Sequence, residues 1–178
     1  MNLIELQNKI HQQNRELGWW DNERPFSIFA CLFHSELSEA MEGDRKGLMD
    51  DHLQEYPMFQ VELADFVIRV FDYLGSVGFS ESDYDEASCR FGDNIDQQSP
   101  TRLIAGLHLA VSLAMLEDEE GNWGDSYLIL AVSILTAFMY AKDECFDLHQ
   151  IILKKVEYNK HRADHKRENR ALAGGKKY

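Results

Sequence analysis

Two pairs of carboxylates lie in segments whose apolar residues recur at helical spacing. Glu36 and Glu39 form the first pair, and Glu62 and Asp65 form the second. Residues three or four apart share one face of a helix, and the apolar neighbours of each pair predict that this face points to the core. Buried like charges are unfavourable unless a cation lies among them. Ligands that are all oxygen favour Mg²⁺, with Mn²⁺ as the alternative, over Zn²⁺.

The competing hypothesis is a solvated acidic face that apolar residues only border. An internal repeat argues against it: a shift of 74 residues superimposes His34 on His108, and a shift of 67 superimposes Leu63 on Leu130. A chance match between two apolar hairpins is the alternative to a true repeat. The second copy carries apolar residues where the first has acids, which predicts inward-facing positions: Ala110, Leu113, Ile129 and Val132. The matched histidines indicate packing rather than metal ligation.

Three polar residues share one face of the last predicted helix. Lys155, Asn159 and Arg162 stand at positions i, i+4 and i+7. A Lys and an Arg at this spacing are able to bind phosphate oxygens. The alternatives are a solvated basic helix end that interacts favourably with the helix dipole, and a site that uses Lys154 in place of Lys155.

Helical periodicity, caps and turn residues predict an all-α protein. No segment alternates polar and apolar residues as a half-buried strand does, and most glycines and prolines fall between the periodic runs. Seven helices are predicted, with approximate bounds Leu3 to Leu17, Pro25 to Gly43, Pro57 to Gly78, Ser80 to Gly92, Pro100 to Glu117, Ser126 to Cys145 and Asp147 to Arg162.

These helices are expected to form one domain over residues 1–163. The first copy of the repeat spans about 25–91, the degenerate second copy spans about 99–146, and a closing helix covers 147–162. The polar residues 164–178 are predicted to form a flexible tail. A chain of 178 residues is long enough to bury such a core without disulfides.

The charge balance argues against several classes of partner. Asp and Glu number 31 against 18 Lys and Arg, a net charge of −13, which disfavours polymeric nucleic acid and anionic membranes. The longest apolar stretch, Tyr127 to Ala141, is predicted to be too short to span a bilayer, and the N-terminus lacks the pattern of a signal peptide. Three widely spaced cysteines predict buried thiols in a reducing compartment, and hence a cytoplasmic protein: Cys31, Cys89 and Cys145.

The two acidic strings together resemble a known signature. Glu36-Leu37-Ser38-Glu39, followed after 22 residues by Glu62-Leu63-Ala64-Asp65, is similar to the ExxE…ExxD motif of the all-α nucleoside triphosphate pyrophosphohydrolases. That superfamily includes MazG, the dimeric dUTPases and the dCTP pyrophosphatases, and the chain most resembles the MazG-like branch over about residues 15–80 and 150–163. The resemblance implies an antiparallel helical bundle that hydrolyses a nucleoside triphosphate to the monophosphate and pyrophosphate.

The resemblance also implies roles for the acidic residues. Glu36, Glu39, Glu62 and Asp65 would hold Mg²⁺ or Mn²⁺ and act in catalysis, and Glu39 is the first candidate to accept a proton from water. Members of the family assemble as dimers or tetramers. We therefore expect a homodimer or a higher homo-oligomer.

Substrate-binding residues are implied as well. Lys155, Asn159 and Arg162 resemble the family's C-terminal Lys…Asn…Arg element. Trp19 and Trp20 stand where related proteins place residues that contact the base, although a Trp pair at this place is equally able to close the core.

The sequence is also compatible with other functions. A dUTPase or dCTP pyrophosphatase with one specific substrate is the nearest alternative, because degenerate duplicated helices resemble the dimeric dUTPase arrangement. A ferritin-like di-iron protein is disfavoured, since no acid on the candidate metal helices has a His three residues on. A non-enzymatic helical interaction module would carry the acids only as surface charge. Asp72 either joins the site or binds Arg69.

Overall fold

The computed structural model describes residues 2–90, 99–170 and 172, and over these residues the protein is all-α, as predicted. The predicted end of the fourth helix near Gly92 lies outside the described residues. The helices are Leu3–Glu16 (α1), Phe26–Lys46 (α2), Met58–Ser76 (α3), Glu81–Arg90 (α4), Pro100–Glu120 (α5), Trp123–Asp143 (α6), Leu148–His161 (α7) and Arg167–Arg170 (α8), with a 3₁₀ turn at Ala163–His165.

α3 is the central helix of the bundle. It packs against α1, α2, α6 and α7, and it buries residues on every side. Acidic residues of α3 are therefore buried together with their apolar neighbours. α2 differs, because it buries one face and leaves the other to solvent.

α2 is longer than the sequence predicts. The expected end at Gly43 is wrong: the helix continues to Lys46 and ends where Gly47 adopts a φ of 62°. Gly43 lies where α2 meets the start of α3. A Cβ atom at this position would stand 2.8 Å from the backbone nitrogen of Phe59, so the glycine permits close helix packing.

α6 is a core helix with an apolar composition. It has 21 residues, and by length and composition it is the one described helix that would suffice to cross a membrane. The predicted apolar stretch Tyr127 to Ala141 lies within this longer helix. The helix packs against α3, α4 and α5, and its residues Leu130, Ala131, Ile134 and Ala137 are fully buried. Burial of this kind is typical of a core helix in a globular protein.

Two predictions about the surface differ from the structure. The three cysteines are free, but they are exposed rather than buried, because each lies on the solvent side of its helix or turn: Cys31, Cys89 and Cys145. The start of the predicted tail is helical over 163–170 and is held to the loop after α1. Arg167 pairs with Asp21 at 2.9 Å, and Nη2 of Arg170 donates to the carbonyl oxygen of Leu17 at 3.0 Å.

The helices of the predicted repeat form two hairpins. α2 packs on α3, α5 packs on α6, and α2 also packs on α5. His34 and His108 meet between the two hairpins with their Nδ1 atoms 2.7 Å apart and their rings stacked, which confirms that they pack together. Glu39 and its counterpart Leu113 are both exposed, so the expectation that all four repeat positions face inward is wrong for this pair.

Candidate metal and phosphate site

Three of the four predicted acids converge in the interior. α2 positions Glu36, and α3 positions Glu62 and Asp65. One carboxylate oxygen from each residue lies within 4.8 Å of the other two. Glu36 is 4% exposed and Glu62 is 7% exposed, so these acids lie among core residues rather than on a solvated face.

Glu39 does not join this cluster. It lies one turn along α2 from Glu36, it is exposed, and it lines the cavity beside the three acids. Its side chain makes no hydrogen bond or ion pair within the described part of the chain. Its carboxylate is therefore open to water at the edge of the site.

It is unfavourable for all three clustered carboxyl groups to be ionised at the same time. Burial, and after it repulsion by Asp65, raises the pKa of Glu62 to about 9. Burial also raises the pKa of Asp65, while Lys155 opposes that shift. This shift favours the protonated form of Glu62 when no cation is bound. A divalent cation would replace this proton, and three hard oxygen donors at this spacing fit Mg²⁺ or Mn²⁺.

Lys155 is a buried cation that pairs with one of the clustered acids. It is 1% exposed, and its Nζ lies 3.0 Å from Oδ2 of Asp65. Burial alone would lower the pKa of Lys155, but the carboxylates of Asp65, Glu62 and Asp50 together outweigh it, so the pKa is raised and the amine stays charged. Lys154 points elsewhere: it pairs with Glu55 at 2.9 Å and lies over the ring of Tyr56.

A cavity of about 330 Å³ opens beside the acids. Glu36, Glu39 and Asp65 line it together with three arginines, a mixture of charges that suits a metal-bound anion better than a free anion. Ligand sites in proteins typically have a volume of about 300–1,000 Å³. The arginines of its wall are Arg24, Arg69 and Arg162.

Arg24 and Arg69 were not singled out as site residues by the sequence. Nε of Arg69 donates a hydrogen bond to Oε1 of Glu36. Arg69 follows Asp65 by four residues, so its place on the acidic face was readable from helical spacing. Arg24 lies over the rings of Trp20 and Phe29, at 5.0 and 4.4 Å from their centroids, and no periodic signal marks it.

Two buried polar atoms at the cavity have no hydrogen-bond partner in the described residues. They are Nε of Arg24, a donor, and Oδ1 of Asn159, an acceptor. Buried polar groups are nearly always paired, so an unpaired donor and an unpaired acceptor in one cavity indicate a ligand or ordered water there. Arg162 lines the same cavity and makes two hydrogen bonds to Asp164 at 2.9 and 2.8 Å.

The two adjacent tryptophans occupy different environments. Trp19 lines the cavity, with Arg170 4.0 Å above its ring. Trp20 packs into the structure: it stacks on Phe29 and donates from Nε1 to Oδ1 of Asp72 at 2.8 Å. The core-closing interpretation therefore fits Trp20, and the ligand-facing position belongs to Trp19.

Asp72 connects α3 to the N-terminal helix. Besides Trp20, its carboxylate binds His11 Nδ1 and Asn14 Nδ2, each at 2.8 Å. It binds neither the acidic cluster nor Arg69 through a hydrogen bond, although it lines the cavity. Asp72 thereby fixes Asn14 at the cavity wall and holds Trp20 against α3.

Comparison of the chain with protein-family models, with curated proteins and with solved structures finds no match. What the protein does is therefore inferred from the chemistry of the site.

Proposed function

We propose that this protein is a divalent-metal-dependent nucleoside triphosphate pyrophosphohydrolase. The observation that carries the proposal is the convergence of two buried carboxylates, Glu36 and Glu62, with the partly buried Asp65 beside a cavity that three arginines also line. Acids alone would repel a triphosphate, and arginines alone would give no reason to bury the acids. Together they suit a polyphosphate that arrives with its metal. The ExxE…ExxD resemblance adds the class of reaction.

In the proposed reaction, a water oxygen bonds to the α-phosphorus, and the bond from this phosphorus to the oxygen bridging to the β-phosphate breaks. The products are a nucleoside monophosphate and pyrophosphate. The metal would neutralise phosphate charge and lower the pKa of a bound water. Glu36, Glu62 and Asp65 would hold the metal, and Glu39, which has no partner among the described residues, would accept the proton of the water.

The cations of the site divide into two groups. Lys155 is buried against Asp65 and does not line the cavity, so in this proposal it orients and neutralises an acid rather than binding phosphate. Arg24, Arg69 and Arg162 line the cavity and would bind phosphate oxygens. Arg69 pairs with Glu36 in the structure. Its guanidinium would become available to phosphate if Glu36 held a cation.

The proposal includes a cytoplasmic setting and a housekeeping role toward the nucleotide pool. Three exposed free thiols suit a reducing compartment, where disulfides are rare. The rates of pyrophosphate release from different nucleotides, including the dUTP and dCTP of the narrower alternatives, identify the preferred base.

Pyrophosphate release from a panel of ribo- and deoxyribonucleoside triphosphates, dUTP and dCTP included, tests the function. With Mg²⁺ or Mn²⁺ the wild type is expected to release pyrophosphate from at least one of them. Glu36→Gln and Asp65→Asn should each lose at least about 100-fold in kcat/KM, because a metal ligand is removed while the side-chain shape is kept. Arg69→Gln should lose less, about tenfold.

Glu42→Gln is the matched control. Glu42 lies on α2 like Glu36, but its side chain is 37% exposed and pairs with Arg45 and Lys46. This variant should keep the wild-type rate. Absence of pyrophosphate with every nucleotide and both metals, or equal rates in Glu36→Gln and Glu42→Gln, would contradict the proposed function.

A further inference from the structure

α5 presents a row of leucines to solvent. Leu109, Leu113 and Leu116 are 60%, 43% and 54% exposed, and they lie on one face of the helix. The opposite face, which includes Leu107 and Val111, is buried against α2 and α6. We call the three exposed residues the leucine stripe. Contiguous exposed apolar patches, unlike single exposed residues, are typical of interaction sites.

The face that carries the leucine stripe is symmetric along the helix. Leu109 and Leu113 lie equally far from Val111 in the sequence, on either side of it, and so do Gly106 and Leu116. Near the two ends of the helix, Arg102 and Glu120 are likewise equally far from Val111. A Cβ atom at Gly106 would meet nothing within 4 Å, so the surface at this position has open space for a large side chain such as leucine.

We propose that α5 pairs antiparallel with α5 of a second copy of this chain. A two-fold axis at the level of Val111 would place Leu109 beside Leu113 of the other copy and each Leu116 beside the other copy's Gly106. A pattern that is its own complement is what an isologous dimer interface requires. Small residues opposite large ones allow two helices to approach closely.

The charges of α5 favour the antiparallel arrangement. The helix ends in an acidic run from Glu117 to Glu120, while Arg102 stands in its first turn. Antiparallel pairing sets this acidic end beside Arg102 and the positive end of the partner's helix dipole. Parallel pairing would bring two acidic ends together. Arg102 has no ion-pair partner within the described residues, so its charge is available for this contact.

The proposal is independent of the proposed function, because no residue of α5 lines the cavity. Its test is the mass of the full chain in solution, measured by sedimentation equilibrium at micromolar concentration. The wild type is expected to be a dimer and Leu113→Glu a monomer with an unchanged circular dichroism spectrum. Met139→Glu, which changes an exposed apolar residue of α6, should remain a dimer.

A charge exchange tests the register. The substitution Arg102→Glu places a like charge beside Glu120 of the other copy at two positions in each dimer. It should raise the dissociation constant of the dimer at least about tenfold. Adding Glu120→Arg restores both opposite pairs and should recover the wild-type dissociation constant. A monomeric wild type, a dimeric Leu113→Glu variant, or a double variant no stronger than Arg102→Glu would overturn the proposal.

Discussion

At the scale of the residue, Lys155 shows how charge is balanced inside this bundle. It is the most deeply buried charged residue that the structure describes, and its one short ion pair is to Asp65. Lys155→Met keeps the apolar stem and removes the charge. We expect it to lower the free energy of unfolding by about 3 kcal/mol without metal, because breaking a buried pair leaves an uncompensated acid.

Chemical denaturation at neutral pH measures this loss, and the neighbouring residue provides the control. Lys154 pairs with Glu55 on the surface, and both partners are substantially exposed. Lys154→Met should therefore change stability by less than about 1 kcal/mol. Equal losses in the two variants would show that the Lys155–Asp65 pair does not neutralise the site.

At the scale of the helix, the difference between Glu39 and Asp65 explains what the sequence predicts well. Each follows its partner by three residues, which rotates it by about 60° from the partner's direction. On α3, which buries residues on every side, this rotation leaves Asp65 partly buried, with 15% of its side chain exposed. On α2, which has one buried face, it turns Glu39 to solvent. Helical spacing predicts that Glu36, Glu62 and Asp65 converge, which the structure shows, but the width of the buried face depends on the tertiary structure.

Other parts of the site arise only from tertiary packing. Most helix ends follow from caps and glycines. Three predicted bounds are wrong: Gly43 serves helix contact instead of termination, α5 runs to Glu120 rather than Glu117, and α6 begins at Trp123 rather than Ser126. Asn14 and Arg24 come to the cavity from α1 and from the loop before α2, and nothing in their local sequence marks them. Helical spacing predicts that Asp72 lies on the acidic face of α3. It does not predict the partners His11, Asn14 and Trp20, because they lie more than fifty residues away in the sequence.

The contact between α2 and α5 should make stability depend on pH. Burial lowers the pKa of His34, and burial, followed by the charge of His34, lowers the pKa of His108. The unfolded chain takes up these protons near the ordinary histidine pKa of about 6.5, whereas the folded chain resists them. The pair's contribution to stability is therefore fully present above about pH 6.5 and is lost as the pH falls through the lowered values.

Denaturation midpoints at neutral pH and at about pH 5 would measure this effect. The variant carrying His34→Gln and His108→Gln together should lose less stability on acidification than the wild type. His161→Gln, which changes an exposed histidine paired with Glu157, should follow the wild type. A double variant that loses as much stability as the wild type would contradict the assignment to this pair.

At the scale of the whole molecule, a net charge of −13 means that any salt reduces self-repulsion, so a specific metal site has to be separated from screening. Mg²⁺ at about 100 times its dissociation constant should add about 2.7 kcal/mol to the free energy of unfolding, because the acidic cluster forms only in the folded chain. The melting temperature should then rise by about 5–10 °C.

KCl at matched ionic strength should produce a smaller rise, and it should act equally on every variant. Glu36→Gln should keep that smaller rise and lose the part specific to Mg²⁺, whereas Glu42→Gln, which removes the same charge from the surface of α2, should respond as the wild type does. If KCl reproduces the whole Mg²⁺ effect, or if Glu36→Gln retains it, the acids of the cluster do not form a metal site. The measurement needs no substrate, so it separates metal binding at Glu36, Glu62 and Asp65 from the hydrolysis proposed for them.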